Sequence, residues 1–251
     1  MRKKAPRIQA PDPGAGLVTE AFRSEVIETL NAYPYFAVLE GRKPDTTPHF
    51  TLALAASLTA SPAERSAITI KTVRYNPEVK THAKGATNFS STAHALEAHT
   101  DSTFMPRPHE FIAFQFVKAD PTGGDTIMMP VEDVLARLSP RMQSAAAETE
   151  FFWGKFMAPI LTRSTDRPSI RYYRTQLDTV AGGALKRADR IEIADAVSAA
   201  VAASHEDYRF HAEPGETVLI NNTKTLHSRT AFSETSERLM WRIRANTALI
   251  G

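Results

Sequence analysis

The sequence predicts a mainly β protein with helical decoration, a sandwich or barrel. Three observations lead there. Short stretches of strand-like alternation recur through the chain and crowd its C-terminal end. Helical periodicity is confined to the start and to later insertions. No internal repeat and no linker-like boundary divides the 251 residues, so they read as one domain, 17–251, behind a flexible, Pro-rich arm, 1–16.

Taken in order, residues 17–30 place Val18, Phe22, Val26, Ile27 and Leu30 at helical spacing, which predicts an amphipathic helix. Residues 35–39 form an apolar run suited to a buried strand, and 50–58 read as a second helix. Residues 68–75 alternate Ile68, Ile70, Thr72 and Arg74 against Thr69, Lys71, Val73 and Tyr75, the pattern of a strand. From 76 to 93 no period holds, which predicts a long loop of the kind used as a lid or binding loop. Strands are predicted at 95–99, 111–117 and 126–129, then a helix over 130–138 opening at its proline. Further strands are predicted at 151–160 and 169–173, and an Ala-rich helix at 191–203. The tail carries four more strands, 208–212, 217–220, 225–229 and 239–246, with turns at Pro214-Gly215 and around 233–237.

Composition excludes several chemistries. With no cysteine, thiolate-bound zinc, iron–sulfur clusters, disulfides and a cysteine nucleophile are all ruled out. A net charge of +2 argues for no nucleic-acid or membrane partner. Pro11-Asp12-Pro13-Gly14 follows the basic start where a secretory signal would be apolar, and no stretch is long enough to span a membrane, so a cytoplasmic location is expected.

The informative triplet is His99-Thr100-Asp101. On a strand, residues two apart share a face, so an imidazole and a carboxylate can aim at one metal ion. Two ligands are too few, and His227, on the strand predicted at 225–229, offers a third. Two histidines and a carboxylate on one face of an octahedron leave open positions, the arrangement of non-haem Fe(II) oxygenases. Arg238 and Arg242 follow, four residues apart on a predicted strand and so on one face. A buried guanidinium needs an anion, and a dicarboxylate can be gripped by two parallel hydrogen bonds. The alternative is that these arginines pair with Glu237 or Glu216, or face solvent.

Two stretches, about 94–138 and 207–247, carry a resemblance. His99-Thr100-Asp101-Ser102-Thr103-Phe104, Pro106, Pro108 and Gly123-Gly124-Asp125-Thr126 resemble the taurine dioxygenase/clavaminate synthase superfamily of Fe(II)/2-oxoglutarate oxygenases. Pro214-Gly215-Glu216, Leu226-His227-Ser228-Arg229-Thr230-Ala231-Phe232 and Arg238-x-x-x-Arg242 resemble that family's distal-histidine region. The resemblance implies a double-stranded β-helix (jelly roll) with an N-terminal helical layer and a helical insertion near 130–148. It implies iron on His99, Asp101 and His227. Arg238 and the Thr126 hydroxyl would take the distal carboxylate of 2-oxoglutarate, and Arg242 would touch its inner carboxylate or the substrate. It further implies that O2 is consumed and that succinate and CO2 are released. The implied reaction is hydroxylation, desaturation or a related oxidation of a small polar molecule, with free or carrier-tethered amino acids as the leading substrate class. With a carboxylate ligand present, no position is vacated for halide. Leu96-Glu97 resembles the amino-acid hydroxylase branch, whereas Gly-Gly-Asp-Thr resembles the taurine branch, and Ser228 stands where a glycine is common. Cleavage of a sulfonate or carboxylate substrate of the taurine type is therefore the alternative reaction.

Other residues carry less. Asn88, Ser90, Ser91 and Arg171 are candidate substrate contacts, with solvated alternation the rival account of Arg171. His49, His82, His94, His109, His205 and His211 lack ligand spacing and read as surface or hydrogen-bonded residues. Asn221 and Asn222 read as a turn, and Trp153 and Trp241 as core or pocket wall. Two further classes remain: a zinc hydrolase on the same three ligands, which would need no Arg238 or Thr126, and a ligand-binding jelly roll, which would need no triad. The oligomeric state is unknown from sequence.

Overall fold

The computed structural model describes residues 2–11, 18–79, 89–163, 167–179 and 188–250. In chain order come β1 (Arg7–Gln9), α1 (Glu20–Asn31), β2 (Phe36–Glu40), α2 (His49–Ser57), α3 (Pro62–Ser66) and β3 (Thr69–Arg74). A 3-10 turn at Phe89–Ser91 leads to β4 (Leu96–His99), β5 (Phe111–Lys118) and β6 (Thr126–Pro130). The middle holds α4 (Val131–Leu135), α5 (Pro140–Glu148), β7 (Glu150–Phe152), β8 (Met157–Pro159), β9 (Leu161–Thr162) and β10 (Ser169–Ile170). Helices α6 (Arg174–Thr179) and α7 (Ala188–Ser204) precede β11 (Tyr208–Phe210), β12 (Thr217–Asn221), β13 (Thr225–Arg229) and β14 (Leu239–Ala245).

Helix starts follow local chemistry. Thr19, Ser61 and Ser139 each accept a backbone N–H of the first turn of α1, α3 and α5, and Pro62 and Pro140 open the latter two. The strands build a six-stranded sheet, β1-β2-β12-β5-β14-β3, and a four-stranded sheet, β11-β6-β13-β4. Neighbours are antiparallel apart from the parallel pair β1–β2.

Side-chain alternation divides the molecule into layers. On β5, Phe111 and Ala113 point to one face with Leu219 of β12 and Ile243 of β14; α1 and α2 cover them with Phe22, Val26, Leu30, Phe50 and Leu54. The opposite face carries Phe36, Val73, Ile112, Phe114, Phe116 and Met240, which pack with Met128 and Tyr208 of the smaller sheet. The two sheets therefore face one another across a shared core. On the far side of the smaller sheet, Ile127, Met129 and Leu226 are covered by α4, α5 and α7. No helix among the described residues is long and apolar enough to cross a membrane.

Several expectations are corrected. The arm at 1–16 is not loose throughout: β1 pairs with β2 in the register Arg7↔Val38, Ile8 is buried in the α1/α2 core, and Lys3 meets Asp133 at 2.8 Å. A three-residue edge strand is too short for periodicity to reveal. The strand expected at 151–160 is a hairpin, β7–β8, because the chain reverses at Gly154, whose φ of +98° a side chain would resist. The strand expected at 169–173 stops at Ile170, and α6 begins at Arg174. Helix α3 went unforeseen, being a single turn. The loop expected at 76–93 includes the 3-10 turn Phe89–Ser91, while 80–88 lies outside the described residues.

Candidate metal centre and its pocket

His227 lies mid-strand on β13, opposite His99 at the end of β4, so cross-strand pairing sets the two imidazoles side by side with ring centroids 4.3 Å apart. Asp101 arrives differently from the expected alternation, for β4 ends at His99 and Asp101 sits in the turn beyond it. Two bonds steer that turn: Thr100 N–H donates to the Tyr172 carbonyl at 2.8 Å, and Asp101 N–H to Asn222 Oδ1 at 2.8 Å. The Asn222 amide completes the clamp by donating to the carbonyls of Asp101 (3.0 Å) and His109 (2.9 Å). Ser102, next in the turn, is held at φ +62°, the sparsely occupied left-handed region.

One ligand atom from each of His99, Asp101 and His227 lies within 4.8 Å of the other two, and all three residues are buried. His99 Nδ1 lies 2.8 Å from the Glu97 carbonyl, which can only accept, so Nδ1 carries a proton and Nε2 is the nitrogen left to face a ligand. That Nε2 faces Asp101 Oδ1 at 3.5 Å. Asp101 Oδ2 and His227 Nδ1 are buried without a hydrogen bond. Burial opposes ionisation of Asp101, but Arg242 and the two imidazoles override it and hold the carboxyl well below its usual range. Burial, reinforced by His99, pushes His227 down to about 3, so its ring is neutral at ordinary pH. Two imidazoles and a carboxylate converging on one point, with polar atoms left over, are a donor set that a divalent cation fits. Phe114 and Tyr173 wall the site, with ring centroids 5.2 Å from His227 and from His99 respectively.

The arginines extend the pocket. Arg238, Met240, Arg242 and Arg244 share the inward face of the β14 row. Arg238 is 3% exposed, with its guanidinium over Phe116 (5.3 Å) and Phe232 (5.6 Å). Its Nη2 lies 3.3 Å from Met240 Sδ, and its Nη1 is buried with no partner. Burial lowers it to about 10, so it remains a cation. Gly124, at φ +72°, lets the loop close over it: a Cβ there would lie 3.3 Å from Arg238 Nε. Thr126 is buried on the inward face of β6, two residues before Met128. The pairings with Glu237 and Glu216 considered from sequence do not occur, since Glu237 pairs with Lys118 and Glu216 with Arg7.

Arg242 Nη1 lies 3.3 Å and Arg244 Nη1 3.8 Å from Asp101 Oδ2. Arg244 also reaches Ser102 Oγ at 3.4 Å, and Ser102 Oγ bonds His109 Nδ1 at 2.6 Å. Burial lowers His109 to about 4. Sequence reasoning missed Arg244, although the same alternation that joins Arg238 to Arg242 reaches it. Nothing in the sequence singles out Asn222, whose partner Asp101 lies 121 residues away.

Arg171 is corrected. It is neither a solvated residue nor aimed at the triad; it donates to the carbonyls of Thr103 (2.6 Å), Met105 (2.6 Å) and Pro106 (2.9 Å) and pins the segment after Asp101. It is stacked over Phe156 at 4.8 Å. Asn88 lies outside the described residues. Ser90 and Ser91 precede β4, and the Ser90 carbonyl accepts from Arg229, which also binds the carbonyls of Thr92 and His94. Of the other histidines among the described residues, His211 pairs with Asp125 and His205 meets Ser228 Oγ, away from the triad.

Residues 16–244 match the family model described as taurine catabolism dioxygenase TauD, TfdA family. No curated protein matches the chain in sequence. Among solved structures, an asparagine oxygenase in complex with Fe(II), 2S,3S-3-hydroxyasparagine and succinate is similar with a TM-score of 0.70 and 19% identity, over 91% of this chain and 80% of that one. The non-haem iron oxygenase OrfP, in complex with Fe and α-ketoglutaric acid, gives a TM-score of 0.66 and 14% identity, over 92% and 81%. In complex with Fe, succinate and (3S)-hydroxy-L-Arg, OrfP gives 0.68 and 12%, over 92% and 82%.

Proposed function

The chain belongs to the TauD/TfdA family of dioxygenases, and from that premise we propose that it is an Fe(II)- and 2-oxoglutarate-dependent oxygenase hydroxylating a free or carrier-tethered amino acid. The two facing sheets are read as a double-stranded β-helix. The observation that carries the proposal is the buried triad of His99, Asp101 and His227 together with Arg238, a buried cation that makes no ion pair among the described residues and whose Nη1 has no hydrogen bond.

In this reading His99 Nε2, one Asp101 oxygen and one His227 nitrogen hold the iron. Iron held there would supply O2 activation, with O2 as the oxidant and 2-oxoglutarate as the co-substrate that becomes succinate and CO2. The protein's own residues do the placing. Arg238 grips the distal carboxylate of 2-oxoglutarate, with the Thr126 hydroxyl as second donor. Arg242 steadies Asp101 and the inner carboxylate. Asn222 fixes the turn that aims Asp101, and Phe114 and Tyr173 exclude water from the reacting centre. The amino-acid substrate class is supported by the ligands of the similar structures, hydroxyasparagine and hydroxyarginine. The cations around Asp101 suit a sulfonate equally well, which keeps sulfonate cleavage as the second reading.

Incubation with Fe(II), 2-oxoglutarate, O2 and a panel of free L-amino acids tests this. The expected result is substrate-dependent succinate release matched by a product one oxygen heavier. Sulfite release from an aliphatic sulfonate, with no amino acid turned over, would replace hydroxylation by the cleavage reading.

A further inference from the structure

Two buried arginines share one phenylalanine ring. The Arg229 guanidinium lies 4.4 Å from the centre of the Phe232 ring, and that of Arg238 lies 5.6 Å from it. Arg229 comes from β13, two residues beyond His227, and stands directly opposite Thr126 in the β13–β6 ladder. Directly opposed residues share a face, so Arg229 projects to the inner side with Thr126. It therefore adjoins both groups assigned to the distal carboxylate of 2-oxoglutarate, Thr126 by pairing and Arg238 through the ring.

The ring between the two cations has little freedom. Phe232 N–H donates to the Ala93 carbonyl at 3.0 Å, Tyr75 meets the ring edge-on at 6.4 Å, and a Cβ on Gly124 would lie 3.8 Å from Phe232 Cβ. Arg229 is fixed as firmly. Its Nη2 donates to the carbonyls of Thr92 (2.8 Å) and His94, its Nη1 to that of Ser90 (3.3 Å) and its Nε to that of Thr230 (3.3 Å). Carbonyls solvate a guanidinium without neutralising it, and the charged neighbour that Arg229 feels is Arg238. Asp120 is the acid whose charge reaches Arg238, but its Oδ1 is taken by the Thr122 N–H and hydroxyl. Like charges held this close are unfavourable unless an anion joins them, and a carboxylate seated on Arg238 would feel both.

Resting on the oxygenase reading, we propose that Arg229 is a positioning residue of the co-substrate pocket: through Phe232 it fixes Arg238 and adds a second positive charge, and so sets the preference for a 2-oxo diacid over a 2-oxo monoacid. A monoacid on the metal brings no charge to this end of the pocket, so it gains nothing from Arg229. The carbonyls around Arg229 explain why the residue is arginine, since the compact ammonium of lysine keeps the charge but lacks the planar fork that reaches several acceptors at once.

2-Oxoglutarate and 2-oxopentanoate are the probes, for they share one carbon skeleton and differ in the distal carboxylate. Calorimetry on anaerobic, Fe(II)-loaded protein gives both affinities, and the visible chelate band is recorded on the same samples. The native protein should bind the diacid more tightly. In Arg229→Met the diacid should weaken about tenfold, the scale of one buried charge at this range, while the monoacid stays within about twofold. Arg229→Lys should recover most of the preference, because it keeps the charge. Phe232→Leu removes the ring but none of the carbonyl bonds of Arg229, so it should also lower the preference, and it carries the test if Arg229→Met does not fold. Equal loss of both probes in Arg229→Met, unrescued by lysine, would overturn the inference and leave Arg229 as a pin for residues 90–94. A native protein without the diacid preference, or a preference unchanged in both Arg229→Met and Phe232→Leu, would overturn it as well. Calorimetric binding without the chelate band would count against the oxygenase reading alone, since the preference is still read.

Discussion

Asn222 shows how one side chain can set a site it does not enter. Its amide accepts from Asp101 N–H and donates to the carbonyls of Asp101 and His109, so three bonds from one buried group fix the turn carrying the metal-facing carboxylate. Replacing it with leucine leaves those backbone groups buried and unpaired, at about 1–3 kcal/mol each for what water cannot reach. Asn222→Leu should therefore melt several degrees lower than the native protein. Because positioning partners of metal ligands typically govern about 10–100-fold in affinity, Fe(II) binding should weaken within that range. Metal titration on the folded variant checks the second effect apart from the first; unchanged affinity would remove Asn222 from the positioning role. The same scale shows what was legible in sequence. His99 and Asp101 stood out by type and spacing, His227 through the resemblance of its segment, and Arg238 and Arg242 by alternation. Asn222 and Ser102 did not, because their importance lies in backbone partners and a φ angle that no local pattern encodes.

At the scale of elements, β13 occupies Thr225–Arg229, where alternation put it, because one face is buried against the other sheet and the other against helices. Boundaries failed where a turn residue or a partner distant in sequence decided them: Gly154 splits a strand into a hairpin, and β1 exists only because β2 is there to pair with it. The segment after β4 is likewise held from outside, by Arg171 on three carbonyls. Arg171→Leu should free the 103–106 carbonyls and lower stability by about 1–3 kcal/mol. Limited proteolysis should then cut near that segment faster than in the native protein, whereas the concentration of 2-oxoglutarate giving half-saturation should stay within about twofold. A large loss of 2-oxoglutarate affinity with no gain in proteolysis would restore Arg171 to the substrate contacts.

At the scale of the whole molecule, the folded chain buries two histidines and keeps them neutral, His227 at about 3 and His109 at about 4, against an ordinary value of 6.5. Both values are depressed on folding, so the unfolded chain binds more protons between them and 6.5. Stability of the metal-free protein should thus be fully present above about pH 6.5 and be lost progressively as pH falls toward 4 and then 3. A melting temperature falling by several degrees from pH 7 to pH 4.5 is expected, and His109→Gln should flatten part of that slope. A melting temperature that rises over this interval would contradict the neutral-histidine account.

The layered architecture puts one face of each sheet against helices and keeps the other for a single shared interior, which is why residues 99, 101, 227 and 242, distant in sequence, meet at all. The central claim, that this interior binds Fe(II) and 2-oxoglutarate, is tested most directly by anaerobic titration of metal-free protein with Fe(II) and then 2-oxoglutarate. The account predicts a weak visible charge-transfer band in the native protein, absent in His99→Ala and shifted in Arg238→Gln to at least about tenfold higher 2-oxoglutarate. No band in the native protein, with zinc retained tightly instead, would contradict it and favour hydrolytic chemistry on the same three ligands.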